Sequence, residues 1–286
     1  MRVASDIAAL RASLSDARSG GVRVAFVPTM GNLHAGHHAL FTRARQHAAV
    51  VVASLYVNPM QFGAGEDFEA YPRTPDQDRL LSESAGVDVL FTPDDAEMYP
   101  RGRAAHTYVE VPGLSDELCG QFRPGHFRGV ATVVARLFNL VTPDVALFGK
   151  KDYQQCLLIR SMVGDLGMPI EVIGMNTVRE PDGLALSSRN RYLTPDERRR
   201  APRLHTTLAQ LADQLHSSGA VIATLEARAL QVLSDAGFRA DYVSIRRQSD
   251  LAPPVESDRA LVVLAAAWLG RTRLIDNREV NLSPAG

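Results

Sequence analysis

Two histidines three residues apart, His34 and His37, follow the turn-forming string Pro28-Thr29-Met30-Gly31-Asn32-Leu33. An apolar, β-prone run, Val22 to Val27, precedes that string, and a helix-like segment, His37 to His47, follows it. A strand that ends in such a turn and opens a helix makes an anion site. The first turn of the helix carries unpaired backbone N–H groups and a partial positive charge. Residues three apart share one side of that turn, and Gly36 between the imidazoles lets a flat base or a phosphate approach the backbone. The pattern points to a nucleotide-triphosphate site built without a P-loop. A zinc site fits less well, since no third ligand stands at helical spacing and the glutamate of a zinc-protease helix is missing.

Four further patches carry chemistry. In Tyr56-Val57-Asn58-Pro59-Met60-Gln61-Phe62, neutral hydrogen-bonding amides lie beside apolar side chains. That mix suits a small polar substrate with methyl groups, or a loop whose amides cap its own backbone. In Arg123-Pro124-Gly125-His126-Phe127, Arg123 can grip a carboxylate with two parallel hydrogen bonds, or be an ordinary basic loop residue. In Phe148-Gly149-Lys150-Lys151-Asp152, a lysine can meet phosphate oxygens, and Asp152 can accept ribose hydroxyls or cap the next helix. Ser187-Ser188-Arg189-Asn190 offers two hydroxyls and a guanidinium to a phosphate. Brought into one cleft, His34, His37, Lys151 and Arg189 would stabilise a pentacoordinate phosphorus and a departing pyrophosphate.

The elements that must position these residues follow from periodicity. Strands are expected at Val22–Val27, Ala49–Val57, Val87–Thr92, Asp144–Phe148 and Ile170–Met175. Helices are expected at 37–47, 75–85, 128–141 and 152–166, the third from its stripe of Val130, Val133, Val134, Leu137, Phe138 and Val141. This βαβα alternation with continuous apolar strands predicts an α/β fold, a Rossmann-like parallel sheet domain, though no G-x-G-x-x-G is present. Three of the five chemical patches then lie at carboxyl ends of strands, where open α/β sheets bind ligands. After about residue 176 the pattern changes. Two helices are expected at 195–216 and 220–236, the first with Thr194 and Glu197 as a capping box. Strands at Asp241–Ile245, Ala260–Leu269 and Arg273–Asp276 complete a smaller C-terminal α+β domain, so the expected division is 1–176 and 177–286.

Composition bounds the partners. The 286 residues are 45% hydrophobic and 22% charged, with a formal net charge of -1, which fits a globular protein and argues against broad nucleic-acid binding. Cys119 and Cys156 are too few for a disulfide framework and fit a reducing cytoplasm. The N-terminal string Met1-Arg2-Val3-Ala4-Ser5-Asp6 lacks the apolar stretch of a signal peptide, and the longest apolar run, Ala260–Leu269, reads as a buried strand rather than a membrane span.

The motifs, taken in order and spacing along nearly the whole chain, make it similar to the pantothenate synthetase (pantoate–β-alanine ligase) family. They are Pro28-Thr29-Met30-Gly31 with His34-Ala35-Gly36-His37, Val57-Asn58-Pro59-Met60-Gln61-Phe62, Asp67-Phe68-Glu69 and Tyr71-Pro72-Arg73-Thr74. They continue with Arg123-Pro124-Gly125-His126-Phe127, Lys151-Asp152-Tyr153-Gln154-Gln155, Val178-Arg179-Glu180, Asp182-Gly183, Ser187-Ser188-Arg189-Asn190 and Thr272-Arg273-Leu274-Ile275-Asp276-Asn277. The histidine motif also belongs to a wider superfamily of nucleotidylyl transferases.

The resemblance implies that pantoate attacks the α-phosphorus of ATP to give pantoyl adenylate and pyrophosphate, and that β-alanine then takes the pantoyl group and releases AMP. It implies Mg2+ with the ATP, a C-terminal lid domain and a homodimer. It places His34, His37, Lys151 and Arg189 in catalysis, with Met30, Gly36, Gly149, Asp152, Val178, Ser187 and Ser188 also on ATP. Gln61 and Gln155 would hold pantoate, Met30, Val133, Val134 and Phe148 would pack on its methyls, and Arg123 would lie near β-alanine. Asp76 and Asp78 are carboxylates that could assist Mg2+, which usually keeps waters and phosphate ligands. The chain departs from the family pattern at Asn32, Ala35, Lys150, Asn176 and Leu186. Lys150, in place of a usual glutamate, adds positive charge beside Lys151. Two rivals stand beside this reading: a dinucleotide-forming adenylyltransferase, whose nucleophile is a phosphate, and a nucleotide-binding paralogue without activity.

Overall fold

The computed structural model describes residues 1–216 and 221–283. It divides into two compact units, Met1–Lys150 with Leu158–Asn176, and Lys151–Leu157 with Thr177–Gly286. The short segment Lys151–Leu157 thus groups with the second unit rather than with the residues on either side of it.

The first unit begins with β1 (Arg2–Ala4), α1 (Ile7–Ser19), β2 (Val24–Thr29), α2 (Ala35–Arg45), β3 (Val50–Leu55) and α3 (Pro75–Ser84). It continues with β4 (Val89–Phe91), the short α4 (Asp95–Met98) and α5 (Cys119–Phe122), α6 (His126–Val141), β5 (Val145–Gly149), α7 (Tyr153–Asp165) and β6 (Glu171–Met175). The dividing point of the two units falls inside α7. The six strands form one parallel sheet in the order β1-β4-β3-β2-β5-β6. Val24, Ala25, Phe26 and Val27 of β2 are fully buried, as a central parallel strand covered on both faces requires. Helix α6 buries its valine and leucine stripe, and its Phe138 ring meets both Phe26 and Phe148 edge-on.

The second unit contains α8 (Pro195–Arg200), α9 (Arg203–Gln214), α10 (Ile222–Asp235) and an antiparallel sheet β7-β8-β9, formed by Arg239–Arg247, Ala260–Leu269 and Thr272–Asn281. Its core joins Leu204, Leu208 and Leu211 of α9 and Leu233 of α10 to Val263, Ala265 and Leu269 of β8. The expected α/β fold, a parallel sheet domain with a smaller C-terminal α+β domain, is the one observed.

Two expectations are corrected. The single helix expected at 195–216 is two helices, because Pro202 has no N–H to continue the ladder, although Ala201 and Pro202 both keep helical dihedrals. The last strand runs to Asn281 rather than Asp276, because pairing with β8 along its full length carries Asn277, Arg278 and Glu279, which its local pattern did not mark as a strand. The N-terminal β1 and α1 carried no expectation, the strand being too short for a periodic signal. The capping box of Thr194 and Glu197 is present. Of the helix expected at 220–236, Ala220 lies outside the described residues, as do 217–219 and 284–286.

Candidate active site

In the first unit the strand order reverses at β2: the chain passes from β2 to β3 on one side, and β5 lies on the other. Ligands of open parallel sheets bind at the carboxyl ends of the strands flanking such a reversal. The residues emerging there are Met30 to His34 after β2, and Gly149 and Lys150 at the end of β5. Thr29 fixes the exit of β2. Its hydroxyl donates to the Ser54 carbonyl (2.7 Å) and accepts the Gly31 N–H (3.2 Å). Gly31 (φ 83°) and Asn32 (φ 49°) then take two successive left-handed conformations. The first of these suits glycine, and asparagine tolerates the second better than most residues with a Cβ.

His34 is the N-cap of α2, and its imidazole does what a serine or aspartate usually does. Nδ1 of His34 accepts the Gly36 N–H (3.1 Å), while Nδ1 of His37 reaches back to accept the His34 N–H (3.2 Å). The rings lie 4.2 Å apart, centroid to centroid. This reciprocal arrangement is a capping box made of two histidines. It also fixes the tautomer. With Nδ1 of each ring accepting, the ring proton of the neutral imidazole sits on Nε2, so both side chains act as donors at Nε2. Two such donors at a helix N-terminus suit an anion with several oxygens. Gly36 lies in the same turn, as expected. Ala35, in the position between them, is exposed and takes no part in the box.

Gln61 ends the 3-10 turn Pro59–Gln61 and is 8% exposed. Its Oε1 accepts Asn58 Nδ2 (3.1 Å), and its Nε2 lies 3.0 Å from the Met30 sulfur. Asn58, 1% exposed, also donates to the Gly129 carbonyl (3.1 Å) and accepts the Tyr99 hydroxyl (2.7 Å) and the Met60 N–H (3.3 Å). Asn58 therefore holds the Gln61 carbonyl and turns the amide NH2 toward Met30, so Gln61 is presented as a donor. Burial raises the Tyr99 phenol well above its ordinary value, and its hydroxyl is the donor to Asn58 Oδ1. The turn packs directly on α6: a Cβ on Gly129 would collide with the Met60 carbonyl. Asn58 is thus both a cap of its own loop and the holder of Gln61. Val133 and Val134 of α6 and Phe148 of β5 are buried side chains of the same unit.

Arg123 does grip a carboxylate with two bonds, but the carboxylate belongs to the chain. Its Nε and Nη2 donate to the two oxygens of Glu66 (2.7 and 2.6 Å), and Nη2 also reaches the Gln61 carbonyl (3.3 Å). His126 stands against both, with Nε2 at 2.9 Å from Arg123 and Nδ1 at 2.8 Å from the same carbonyl. Burial raises the Glu66 carboxyl, but hydrogen bonds and charge from Arg123 outweigh it and hold it below the usual carboxylate range. In this conformation Arg123 secures the turn that carries Gln61. Its partner, 57 positions away, has no local sequence signal.

Asp76 is exposed. Asp78 is 2% exposed, with its oxygens accepting the N–H groups of Asn32 (2.9 Å) and Leu33 (2.7 Å) and the Thr74 hydroxyl (3.2 Å). Its lone pairs serve the loop ahead of His34, and the pair does not form a metal cage. Among the described residues no group of three or more His, Cys, Asp or Glu side chains is placed to hold a metal ion.

The second unit carries the remaining candidates. Lys151 is half-buried, its Nζ 3.6 Å from the more exposed Asp152 carboxylate. Its main-chain carbonyl accepts Asn277 Nδ2 (2.9 Å), which anchors the lysine to β9. Gln155 follows on α7 and is half-buried. Leu186 N–H bonds the Val178 carbonyl (3.0 Å), closing a narrow loop whose base is the Arg179–Ala185 bridge. Ser187 caps the 3-10 turn Ser188–Tyr192 by accepting the Arg189 N–H (3.3 Å), so Ser188 and Arg189 open that turn. The loop is tied to β9 by Arg179, which donates to both oxygens of Asp276 (2.7 and 2.9 Å). Sequence reasoning assigned Arg179 and Asp276 no role, because a bidentate pair 97 residues apart leaves no local pattern.

Burial raises the Asp276 carboxyl, but hydrogen bonds from His205 and Arg179 outweigh it and hold it below its ordinary value of 3.8. A carboxyl lowered by folding stabilises the fold fully above that ordinary value. The contribution is lost as pH falls from there through the folded value. Stability of the second unit is therefore expected to drop below about pH 4, and Asp276→Asn to flatten that acid limb. Thermal unfolding of both proteins between pH 7 and pH 3 checks this, and parallel pH profiles would refute it.

Residues 2–279 match a model of the pantoate–β-alanine ligase family. The chain is 57% identical over 269 residues to the pantothenate synthetase of Shewanella amazonensis, covering 94% of this chain and 95% of that one. It is 55% identical over 284 residues to the pantothenate synthetase of Pseudomonas putida KT2440, covering 99% and 98%. In structure it is similar to pantothenate synthetase from Thermus thermophilus, with a TM-score of 0.91 at 48% identity over 98% of this chain and 100% of that one. It is also similar to the Francisella tularensis pantoate–β-alanine ligase complexed with β-γ ATP and β-alanine, with a TM-score of 0.80 at 32% identity over 100% of this chain and 99% of that one. With the motifs in order along the chain, the parallel sheet bearing its histidine pair, and matches of this extent, the chain belongs to the pantoate–β-alanine ligase family.

Proposed function

We propose that the protein joins pantoate to β-alanine in two steps with ATP. The pantoate carboxylate attacks the α-phosphorus, the P–O bond to pyrophosphate breaks, and pantoyl adenylate forms. The β-alanine amine then attacks the acyl carbon, the acyl–phosphate bond breaks, and AMP leaves with pantothenate as product. The observation that carries this reading is the double-histidine capping box at the N-terminus of α2, beside the reversal of the sheet, in which both Nδ1 atoms accept backbone N–H groups and leave the ring proton on Nε2. A carboxylate is already a nucleophile, so the first step needs no general base. Its rate comes from alignment and from stabilising charge on the phosphorus oxygens.

In this reading His34, His37, Lys151, Ser187, Ser188 and Arg189 contact the phosphates, Gly36 lies beneath the nucleotide, and Gly149 and Asp152 hold the ribose. Val178 lines the adenine pocket. Gln61 donates to a pantoate oxygen, Gln155 holds the same substrate, and Met30, Val133, Val134 and Phe148 meet its methyl groups. The bidentate Glu66 pair supports a positioning role for Arg123 through the Gln61 turn, rather than a grip on β-alanine. Mg2+ arrives as the ATP complex, its coordination completed by phosphate oxygens and waters. The buried bonds of Asp78 support that assignment, and no step is routed through a protein-held ion. The family resemblance supports a homodimer. The two cysteines are buried and not joined in a disulfide, which supports a reducing, cytoplasmic setting. Among the described residues, no helix is long and apolar enough to cross a membrane.

ATP–pyrophosphate exchange tests the proposal. Exchange is expected with pantoate, without β-alanine, and to be absent with nicotinate mononucleotide. Exchange driven by the mononucleotide would favour the dinucleotide-forming reading, and no exchange with any acid would favour a binding protein without activity.

A further inference from the structure

Asp78 lies 46 positions from the loop it holds. Its carboxylate sits against two consecutive amides, those of Asn32 and Leu33, and is almost completely withdrawn from solvent. Successive N–H groups turned to one side by left-handed backbone form a concavity that holds an anion. Here the anion is an aspartate of the same chain. The fit is close: an ideal Cβ on Gly31 would stand 3.0 Å from Asp78 Oδ2, so only glycine leaves the carboxylate its place without a shift. Thr74, the N-cap of α3, donates its hydroxyl to Asp78 Oδ1 rather than capping its own helix.

The next residue after the two held amides is His34, whose own N–H is accepted by His37. The chain of contacts therefore runs from α3, through one carboxylate, into the backbone that orients both imidazoles. Charge-assisted bonds to backbone amides are stronger than neutral ones and offset the cost of left-handed backbone at Asn32. We propose that Asp78 is a positioning residue for the His34–His37 pair, acting through the loop and not through a metal ion. This rests on the reading of the histidines given above. Asparagine at position 78 keeps the shape but puts an NH2 against one of the two amide donors, so the loop loses one anchor. Displacement of reacting groups by a fraction of an ångström to an ångström costs one to two powers of ten in rate.

The experiment is Asp78→Asn, read by exchange kinetics and by nitrogen-15 spectra of the histidine rings. The expected result is a fall of about tenfold to a hundredfold in kcat of exchange. KM for ATP and the Mg2+ concentration for half-maximal rate should stay within about twofold, and the His34 and His37 ring signals should move. Asn32→Gly in the same background relieves the left-handed strain and should recover part of the lost rate. A folded variant with unchanged kcat and unchanged ring signals overturns the proposal. So does a tenfold rise in the Mg2+ requirement, which would make Asp78 a metal ligand. If Asp78→Asn does not fold, Gly31→Ala crowds the same contact from the loop side and should give the same kinetic and spectral signature. Its absence in folded protein overturns the proposal equally. If the unaltered protein shows no pantoate-dependent exchange, the function reading fails, while the ring signals still decide whether Asp78 orients the pair.

Discussion

His34→Asn is expected to lose adenylate formation by a hundredfold or more while keeping nearly all of the stability of the fold. The two jobs of this imidazole separate at its two nitrogens. Nδ1 caps α2 by accepting the Gly36 N–H, and an asparagine carbonyl at the same position can take that bond. Nε2 carries the proton that reaches for a phosphate oxygen, and asparagine is too short to supply it. His34→Ala loses both functions: the same kinetic defect should come with a cost of about 1 kcal/mol from the missing cap. The loss in rate reflects a donor bond that strengthens as charge builds on phosphorus, an effect typically worth about two to three powers of ten. Pyrophosphate exchange and chemical denaturation on both variants measure the two effects separately. Asparagine activity near normal would remove His34 from the chemistry and leave it a cap alone.

Lys151→Ala should be as damaging to the first step and far less so to the second. The ammonium is half-buried, and its backbone is pinned to β9 by Asn277, so its position is set before any ligand arrives. A fixed cation contributes most where negative charge accumulates, on the oxygens of the transferring phosphorus and the departing pyrophosphate. Exchange should fall by about a hundredfold or more. Pantoyl adenylate supplied directly should still be converted with β-alanine to within about tenfold of the normal rate, because no pyrophosphate leaves in that step. Arginine at this position should restore little, since a planar fork on a different reach does not replace a compact point charge. Equal loss in both half-reactions would assign Lys151 to binding the adenosine portion rather than to the transfer.

The amino-acid order by itself determined the class of fold and where the candidate groups stand along the chain. Val24 to Val27, Val50 to Leu55 and Val145 to Gly149 are local apolar runs, and local runs alternating with helical stripes leave little but a parallel sheet with covered faces. The His34–Gly36–His37 spacing is likewise local, so its place at the start of a helix was legible. What tertiary structure decided was how each group is aimed. The double capping box depends on two rings meeting across one turn with their Nδ1 atoms inward, which spacing permits but does not require. Arg123 holds a carboxylate with two bonds, but the partner, Glu66, lies 57 positions away and no local pattern marks it. Asp78 was read as a carboxylate that could assist Mg2+, and the fold buries it with its oxygens on the amides of Asn32 and Leu33. Arg179 with Asp276, and Tyr99 with Asn58, are similar cases. The physical reason is common to all four. Local periodicity reports which face of an element is dry. A buried polar group must find its partner wherever the fold brings one, and that pairing has no period along the chain.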